Sequence, residues 1–231
     1  MNTDLSRLLA EVDAILLDFD GPVCSVFSGC PAPQVAAELV TVLLREGIDV
    51  PPSLNAEPDP LEVLRWAGSA TDQAVTLAVE DALCAAERRA VESAAPTPYG
   101  RAVIVAAHHA GFPVAVVSNN SAGAVTNYLA AHRLGHFVSS TVGRAYGKPQ
   151  LMKPNPAPIL QAARAVGARP SRSVLVGDSL SDIEAARAAG ARAIAYANRP
   201  PKLGAFQRAG ADVLITSMGT LADALLARLG E

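Results

Sequence analysis

Residues 14–21 read AILLDFDG, a short apolar run that ends in two carboxylates one residue apart. Side chains of a β-strand alternate between its two faces, so the Asp18-Phe19-Asp20 spacing aims both carboxylates the same way at the end of a buried strand. Like charges this close repel each other unless a hard cation or positive donors neutralise them. The pair therefore predicts either a magnesium site or a nucleophile beside an acid/base.

This apolar run is the first of several strand-like segments that alternate with Ala-rich helical stretches. The others are Pro113 to Val117, Ser173 to Val176, Arg192 to Ala197 and Asp212 to Ile215. Strands alternating with helices are typical of a parallel sheet covered on both faces. With 231 residues, 50% of them hydrophobic, the chain is long enough for such a core. We therefore predict an α/β fold with a parallel sheet between helical layers.

One interval, from about Ser25 to Thr97, breaks the alternation and has helical periodicity without a convincing strand. The predicted helices of this interval are Gln34 to Arg45, Leu61 to Trp66 and Thr71 to Glu92. We predict an inserted all-helical domain over residues 25–95 and a core domain over residues 1–24 and 96–231. Because the insertion leaves and re-enters the core beside the acidic pair, we expect it to lie over the site as a lid.

Polar residues also follow two later predicted strands. Ser118 and Asn119 lie between one strand and a helical stretch, where a hydroxyl and free backbone amides form an anion site. Ser and Asn are equally common as simple helix N-caps. After another strand come Gly177 and Asp178, with Asp182 on the first turn of the next helix. These oxygen ligands indicate a cation site and favour magnesium over zinc.

The chain has only three lysines, at positions 148, 153 and 202. Lys153 precedes Asn155-Pro156, which are typical of a helix start, and a cation there is favoured only if an anion shares the space. Lys148 is the rival for this role, and the helix start favours Lys153. Ligands of open α/β sheets bind at the carboxyl ends of the strands. The carboxylates, hydroxyl and lysine at those ends together predict a site for phosphoryl transfer.

Four segments, in the same order, resemble the motifs of the haloacid dehalogenase superfamily and more closely its phosphoglycolate-phosphatase-like branch with a helical cap. They are Asp18-Phe19-Asp20-Gly21, Ser118-Asn119, Lys153-Pro154, and Gly177-Asp178-Ser179 with Asp182. The resemblance spans nearly the whole chain. It implies a Rossmann-like three-layer parallel-sheet core with an inserted all-helical cap. It also implies a magnesium-dependent phosphatase that hydrolyses a small phosphorylated metabolite through an aspartyl-phosphate.

The resemblance assigns a role to each matched position. Asp18 is the expected nucleophile, and Asp20 is the expected general acid and then base. Ser118 and Lys153 are expected to hold the phosphoryl oxygens. The expected substrate-binding residues are Asn119, Gly21 and, from the cap, Arg65. An arginine in the cap could bind a substrate carboxylate or second phosphate bidentately, although an ordinary helix-surface role for Arg65 is the alternative.

The resemblance also implies how Mg²⁺ is held. Its expected ligands are Asp18, Asp20 through its carbonyl, and Asp178, with Asp182 more a supporting partner than a direct ligand. One position departs from the family pattern, because Pro22 stands where members commonly carry Thr. Proline removes that hydroxyl and a backbone N–H, so the loop after Asp20 is expected to differ in shape or to give a slower enzyme.

Other members of this superfamily have different activities, and single residues favour or disfavour each of them here. Dehalogenases lack the second Asp, so Asp20 disfavours them. The phosphonoacetaldehyde-hydrolysing branch uses a cap lysine, and no lysine lies between Ser25 and Thr97. Phosphomutases share all four motifs and stay an open alternative. A non-catalytic binding protein of the same fold is disfavoured by the presence of Asp18 and Asp178.

The composition of the chain limits which partners and which cellular compartment we expect for the protein. The formal net charge is −3, the basic residues are scattered, and aromatics are 4%, so nucleic-acid binding is not indicated. The acidic N-terminus does not fit a secretory signal, and no apolar run approaches the roughly 18 residues of a membrane span. Three cysteines without metal-ligand spacing predict buried thiols in a reducing compartment. We expect a cytoplasmic monomer or homodimer without nucleic-acid or membrane partners.

Overall fold

A parallel sheet forms the centre of the core in a computed structural model that describes residues 3–230. The strands of this described part are β1 (Ala14–Leu17), β2 (Cys24–Ser25), β3 (Ala95–Pro96), β4 (Val114–Val117), β5 (Ser140–Val142), β6 (Ser173–Gly177), β7 (Arg192–Tyr196) and β8 (Val213–Ile215). Six of them form the sheet in the order β5-β4-β1-β6-β7-β8 within residues 3–230. All neighbours in this sheet run parallel.

Helices cover both faces of the sheet and fill the insertion. They are α1 (Thr3–Glu11), α2 (Ala32–Arg45), α3 (Pro52–Asn55), α4 (Pro60–Ala70), α5 (Gln73–Ala90), α6 (Gly100–His109), α7 (Ala122–Ala131), α8 (Ala157–Ala165), α9 (Leu180–Ala188), α10 (Lys202–Ala209) and α11 (Met218–Ala227). Within residues 3–230, no helix combines the length and apolar character needed to cross a membrane.

The two faces of the sheet belong to separate apolar clusters, because successive strand side chains point to opposite sides. Ile15 and Leu17 of β1 pack on one face with α1, α6, α7 and α11. Leu16 packs on the other face with α8, α9 and α10. Every β1 side chain is buried, as expected for the centre of a parallel sheet. The predicted three-layer α/β core is thereby confirmed.

The inserted helices have an apolar cluster of their own. Leu39 of α2, Leu64 of α4 and Leu83 of α5 are fully buried in it. The two chain connections to the core pair with each other as an antiparallel ribbon, in which Cys24 lies opposite Pro96. The predicted bounds of the cap, residues 25–95, stay a prediction, and this ribbon lies at those bounds.

The structure differs from the sequence prediction at short elements. The ribbon strands β2 and β3 have two residues each, and β5 has three, so none of them carries a periodic pattern. Helix α4, Pro60–Ala70, is longer than the predicted Leu61 to Trp66, mainly at its C-terminal end, and Asp59 caps its start by accepting a hydrogen bond from the Leu61 N–H at 2.8 Å. Cys24 is buried as predicted, whereas Cys30 and Cys84 are only partly buried.

Candidate active site

Three neighbouring strands bring two predicted catalytic residues and a predicted metal ligand to one edge of the sheet. Asp18 follows β1, Ser118 follows β4, and Asp178 follows β6, and β1 lies between the other two. Because the strands are parallel, their carboxyl ends lie side by side. These residues line a cleft of about 550 Å³ whose opposite wall is formed by residues around the start of α4, including Leu61 and Arg65.

The ammonium group of Lys153 lies between two carboxylates. Its Nζ is 2.7 Å from Asp18 Oδ1 and 2.5 Å from Asp182 Oδ1, and it also donates to the Val117 carbonyl at 3.1 Å. Burial alone lowers the pKa of Lys153, but the charges of Asp18 and Asp182 outweigh it and raise that pKa. Lys153 therefore stays charged, while the rival Lys148 is exposed to solvent.

Asp18 is buried and has one carboxylate oxygen available. Its Oδ1 accepts hydrogen bonds from the Phe19 N–H at 2.8 Å and from Lys153. Among the contacts described for residues 3–230, none falls on Oδ2. Burial raises the pKa of Asp18 well above its ordinary value, and the charge of Asp182 adds to this effect while Lys153 opposes it.

Asp20 is held by the backbone of the following loop. Its Oδ1 accepts a hydrogen bond from the Val26 N–H at 3.0 Å. Burial raises the pKa of Asp20 to about 6, although the Val26 hydrogen bond opposes this shift. A carboxyl group with such a pKa can both donate and accept a proton near neutral pH.

The loop after Asp20 makes a close approach that only glycine permits. Gly21 has a φ of 109°, and a Cβ at this position would overlap the Asp178 carboxylate. The Gly21 carbonyl accepts a 2.5 Å hydrogen bond from the Thr97 hydroxyl, which comes from the second connection to the cap. Pro22 has no hydroxyl group with which to bind the loop, and the Thr97 hydroxyl, which is distant in sequence, binds it instead. The absence of a side chain at Gly21 therefore lets the Asp178 carboxylate lie against the loop, and the predicted role of Gly21 in substrate binding stays a prediction.

Asp178 has two partners that the sequence prediction missed. Asn198 Nδ2 donates to Asp178 Oδ2 at 2.9 Å, and Lys202 Nζ donates to the same oxygen at 2.7 Å. Lys202 also donates to the Asp178 carbonyl at 2.7 Å. The contacts described for residues 3–230 leave Oδ1 of Asp178 available. Lys202 is the first residue of α10, which follows β7, and only the pairing of β7 with β6 brings it to Asp178, so the sequence carried no local signal for it.

Asp182 uses both of its carboxylate oxygens within the protein. Oδ1 faces Lys153, and Oδ2 accepts hydrogen bonds from the Ser179 N–H at 3.1 Å and the Ser179 hydroxyl at 2.6 Å. The Ser179 hydroxyl in turn accepts from the Asp182 N–H, which forms a capping box at the start of α9. Asp18, Asp178 and Asp182 each offer a carboxylate oxygen within 4.8 Å of the others.

Ser118 and Asn119 are tied into the site through their neighbours. The Ser118 hydroxyl donates to Asn120 Oδ1 at 3.0 Å and accepts from the Asn120 N–H at 3.0 Å. The Asn119 amide pairs with the backbone of Lys153, accepting from its N–H at 2.8 Å and donating to its carbonyl at 3.2 Å. Asn119, predicted to bind substrate, therefore lines the cleft while its amide holds Lys153.

Arg65 lies in the cleft wall with its charge already paired. Its Nη2 donates to the Lys153 carbonyl at 2.6 Å, and its Nε lies 3.1 Å from Glu62 Oε1. The predicted role in substrate binding stays a prediction. The observed contacts connect α4 of the cap to the loop that carries Lys153.

The geometry agrees with what comparison with known proteins shows. Residues 12–190 match the family described as haloacid dehalogenase-like hydrolase. The chain belongs to the haloacid dehalogenase-like hydrolases. A curated phosphoglycolate phosphatase from Pectobacterium atrosepticum is 39% identical to this hydrolase over 85 residues, which are 36% of this chain and 35% of the relative. The match thus spans about a third of the relative's length.

Solved structures of other proteins share the fold of this hydrolase. A predicted phosphoglycolate phosphatase from Haemophilus somnus has a TM-score of 0.63 and 18% identity, over 92% of this chain and 97% of that one. A beta-phosphoglucomutase from Clostridium difficile has a TM-score of 0.66 and 14% identity, over 95% of this chain and 97% of that one. At these identities the likeness shows the fold and does not distinguish a phosphatase from a mutase.

Proposed function

We propose that this hydrolase is a magnesium-dependent phosphatase that cleaves a small-molecule phosphate monoester through an aspartyl-phosphate on Asp18. The observation that carries the proposal is the position of Asp18, which is held by Lys153 through one oxygen and faces the cleft with Asp20 two residues away. The chain's match to named phosphoglycolate phosphatases supports a phosphatase but covers too little of them to assign their substrate.

The residues at the sheet edge fit Mg²⁺. The available oxygens are Oδ2 of Asp18 and Oδ1 of Asp178, and the donor set of Asp18, Asp178 and Asp182 is all oxygen, which suits a hard cation. We assign Asp18, Asp178 and the Asp20 carbonyl as ligands, with Asp182 as the residue that holds Lys153. When bound, Mg²⁺ supplies positive charge that neutralises the transferred phosphoryl group.

In the first step the Asp18 carboxylate attacks phosphorus, and the bond from phosphorus to the ester oxygen breaks. Asp20, in its protonated form, gives its proton to the leaving alcohol. In the second step Asp20 takes a proton from water, whose oxygen attacks phosphorus and releases inorganic phosphate and the free Asp18 carboxylate. Lys153 and Ser118 hold the phosphoryl oxygens through both steps.

A phosphatase screen with purified protein tests the proposal. Phosphorylated acids, sugars and nucleotides are assayed with Mg²⁺ for phosphate release, with Asp18→Asn and excess chelator as controls. We expect release from at least one class and loss of release in both controls. Activity that survives Asp18→Asn or excess chelator contradicts the mechanism, and transfer to a second sugar hydroxyl without phosphate release identifies a phosphomutase.

The proposal includes a cytoplasmic protein that acts as a monomer or homodimer on a soluble metabolite. Size-exclusion chromatography with light scattering measures the oligomeric state directly. A larger assembly would contradict this part of the proposal without affecting the chemistry at Asp18.

A further inference from the structure

Three charged side chains lie sealed between the cap and the core, and we call them the cap–core ion cluster. Arg144 follows β5 of the core, while Glu80 and Glu87 come from α5 of the cap. The Arg144 side chain is 0% exposed, Glu80 is 1% and Glu87 is 0%. Arg144 Nε donates to Glu80 Oε1 at 2.7 Å, and Arg144 Nη1 donates to Glu87 Oε1 at 2.7 Å. Breaking such a buried pair is costly, so the cluster fixes α5 against the core.

The cluster also holds the loop that follows β4, residues 118–121. Glu87 Oε2 accepts a hydrogen bond from the Ser121 N–H at 2.8 Å, and Glu87 Oε1 accepts one from Asn120 Nδ2 at 3.3 Å. Arg144 donates through Nη1 to the Asn119 carbonyl at 2.6 Å and through its backbone N–H to the Asn120 carbonyl at 2.9 Å. Each residue from Asn119 to Ser121 is therefore bound by the cluster.

Two contacts connect this loop to Ser118 and Lys153, which are expected to hold phosphate. Asn120, whose amide nitrogen faces Glu87, presents its amide oxygen to the Ser118 hydroxyl at 3.0 Å. Asn119, whose carbonyl faces Arg144, binds the backbone of Lys153 with its amide. The orientation of an amide is set by which of its ends meets a donor and which meets an acceptor. A carboxylate at Glu87 therefore sets the direction of the Asn120 amide.

Glu80 differs from Glu87 in its hydrogen-bond partners. Its Oε1 is bound by Arg144 and lies 3.4 Å from the Cys84 thiol. Its Oε2 is buried and has no hydrogen-bond partner among the described residues. Glu80 thus shares the helix, the burial and the Arg144 partner of Glu87, but no hydrogen bond described for residues 3–230 joins its side chain to residues 118–121. The chain itself provides a matched control for Glu87.

We propose that Glu87 is a positioning residue for phosphate binding, which acts from the cap through residues 119–121 on Ser118 and Lys153. The inference rests on the proposed function, since it takes a phosphoryl group as the ligand of those two residues. A glutamine at position 87 keeps the size of the side chain but replaces one acceptor oxygen by a donor NH₂. That NH₂ would face the Ser121 N–H, Asn120 Nδ2 or Arg144, so at least one of these donors loses its acceptor.

The test compares Glu87→Gln with Glu80→Gln, using inorganic phosphate as the probe in the presence of Mg²⁺. Inhibition of hydrolysis and the thermal shift at rising phosphate concentration both report phosphate affinity. For Glu87→Gln we expect phosphate affinity to fall about tenfold and KM to rise by a similar factor, the size of one misdirected hydrogen bond, with kcat changed less. For Glu80→Gln we expect a lower melting temperature but a phosphate affinity within about twofold of wild type.

A second variant keeps the inference testable if Glu87→Gln does not fold. Asn120→Ala removes the connection between Glu87 and Ser118 and leaves the Arg144–Glu87 pair in place, so it is expected to weaken phosphate binding as well. Equal phosphate affinities for Glu87→Gln and Glu80→Gln, or wild-type affinity in Asn120→Ala, would overturn the inference. Wild-type protein that neither hydrolyses phosphate esters nor binds phosphate would instead overturn the proposed function on which the inference rests.

Discussion

Two buried ion clusters of this hydrolase have the same number of positive and negative groups and different surroundings. The active-site cluster places Lys153 between Asp18 and Asp182, and the cap–core ion cluster places Arg144 between Glu80 and Glu87. Each has one cation and two carboxylates, and every side chain in them is at most 10% exposed. A buried cation between two carboxylates is therefore not sufficient to identify a catalytic site.

What distinguishes the two clusters is access and the groups around them. Asp18 faces the cleft, has an available oxygen, and lies beside Asp178 and the protonatable Asp20. The cap–core cluster is enclosed between α5 and residues 118–121. The cations differ accordingly, since the guanidinium fork of Arg144 reaches several fixed acceptors while the ammonium of Lys153 acts as a compact charge.

The largest expected effect is a loss of enzymatic activity when a residue of the active-site cluster, but not of the cap–core ion cluster, is replaced. Asp18→Asn removes the nucleophile, because an amide does not form the acyl phosphate, and we expect phosphate release to fall by at least about 1,000-fold. Circular dichroism and thermal unfolding should show a folded protein. Glu80→Gln is the matched control, as it alters a carboxylate of the other cluster, and a similar loss of activity in that variant would contradict the distinction.

The next largest effect is a loss of stability when the cation of either cluster is replaced, and the two clusters should differ in how Mg²⁺ changes that loss. Arg144→Met leaves two glutamates buried without their cation, and we expect a loss of about 3–5 kcal/mol in the free energy of unfolding. Lys153→Met also removes the cation from two carboxylates, but one of them, Asp18, faces the cleft, where the proposed Mg²⁺ would supply positive charge. Urea unfolding with and without Mg²⁺ should therefore show a larger Mg²⁺ stabilisation for Lys153→Met than for Arg144→Met. Equal Mg²⁺ responses would refute this difference in access.

A third prediction concerns Asp20 and the pH dependence of stability. Its pKa is raised by burial from 3.8 to about 6 in the folded protein, so the folded state binds more protons than the unfolded state between those values. Stability from this group is therefore present at low pH and lost as pH rises through about 6. Asp20→Asn, which keeps an acceptor for the Val26 N–H, should stabilise the metal-free protein at pH 7 by at most about 3 kcal/mol.

The same measurement near pH 4 serves as the control for Asp20. There the wild-type carboxyl is protonated in the folded state and only partly ionised in the unfolded state, so the advantage of Asp20→Asn should fall to about 0.5 kcal/mol. A stability difference that does not change between pH 4 and pH 7 would show that the pKa of Asp20 is not raised.

The smallest expected effect tests the connection of α4 to the active site. Arg65→Ala removes the donor to the Lys153 carbonyl, and we expect KM to rise about threefold, with little change in melting temperature because the side chain is partly exposed. Arg45→Ala, on exposed α2 surface, is the control and should leave KM unchanged. A larger loss specific to substrates that carry a carboxylate would instead support the predicted substrate-binding role of Arg65.

The sequence could place Asp18, Ser118 and Asp178 near one another because each of them follows a predicted strand. The order of β4, β1 and β6 in a parallel sheet brings Ser118, Asp18 and Asp178 together, and Lys153 has a local signal in the helix start that follows it. Strand-end position is a local property that a single sequence shows. The α/β core and the helical insertion were predicted from hydrophobic periodicity and proline positions, which a single sequence also shows.

The cap–core ion cluster was not predicted, because its residues lack any such local signal. Glu80 and Glu87 look like the charged face of an exposed helix, and Arg144 lies in a connection far along the chain. Their burial depends on how α5 packs on residues 118–121, which is a tertiary property. Lys202 escaped prediction for a related reason, since only the pairing of β6 with β7 brings it to Asp178.

The central claim is that Asp18 carries the phosphoryl group, and chemical trapping tests it most directly. Protein turning over a substrate with Mg²⁺ is quenched and treated with borohydride, which reduces an acyl phosphate to an alcohol, and the peptides are analysed by mass spectrometry. The account predicts conversion of Asp18 to homoserine only when substrate and Mg²⁺ are both present. Conversion at another residue, or sustained turnover with Asp18 unmodified at every quench time, would contradict it.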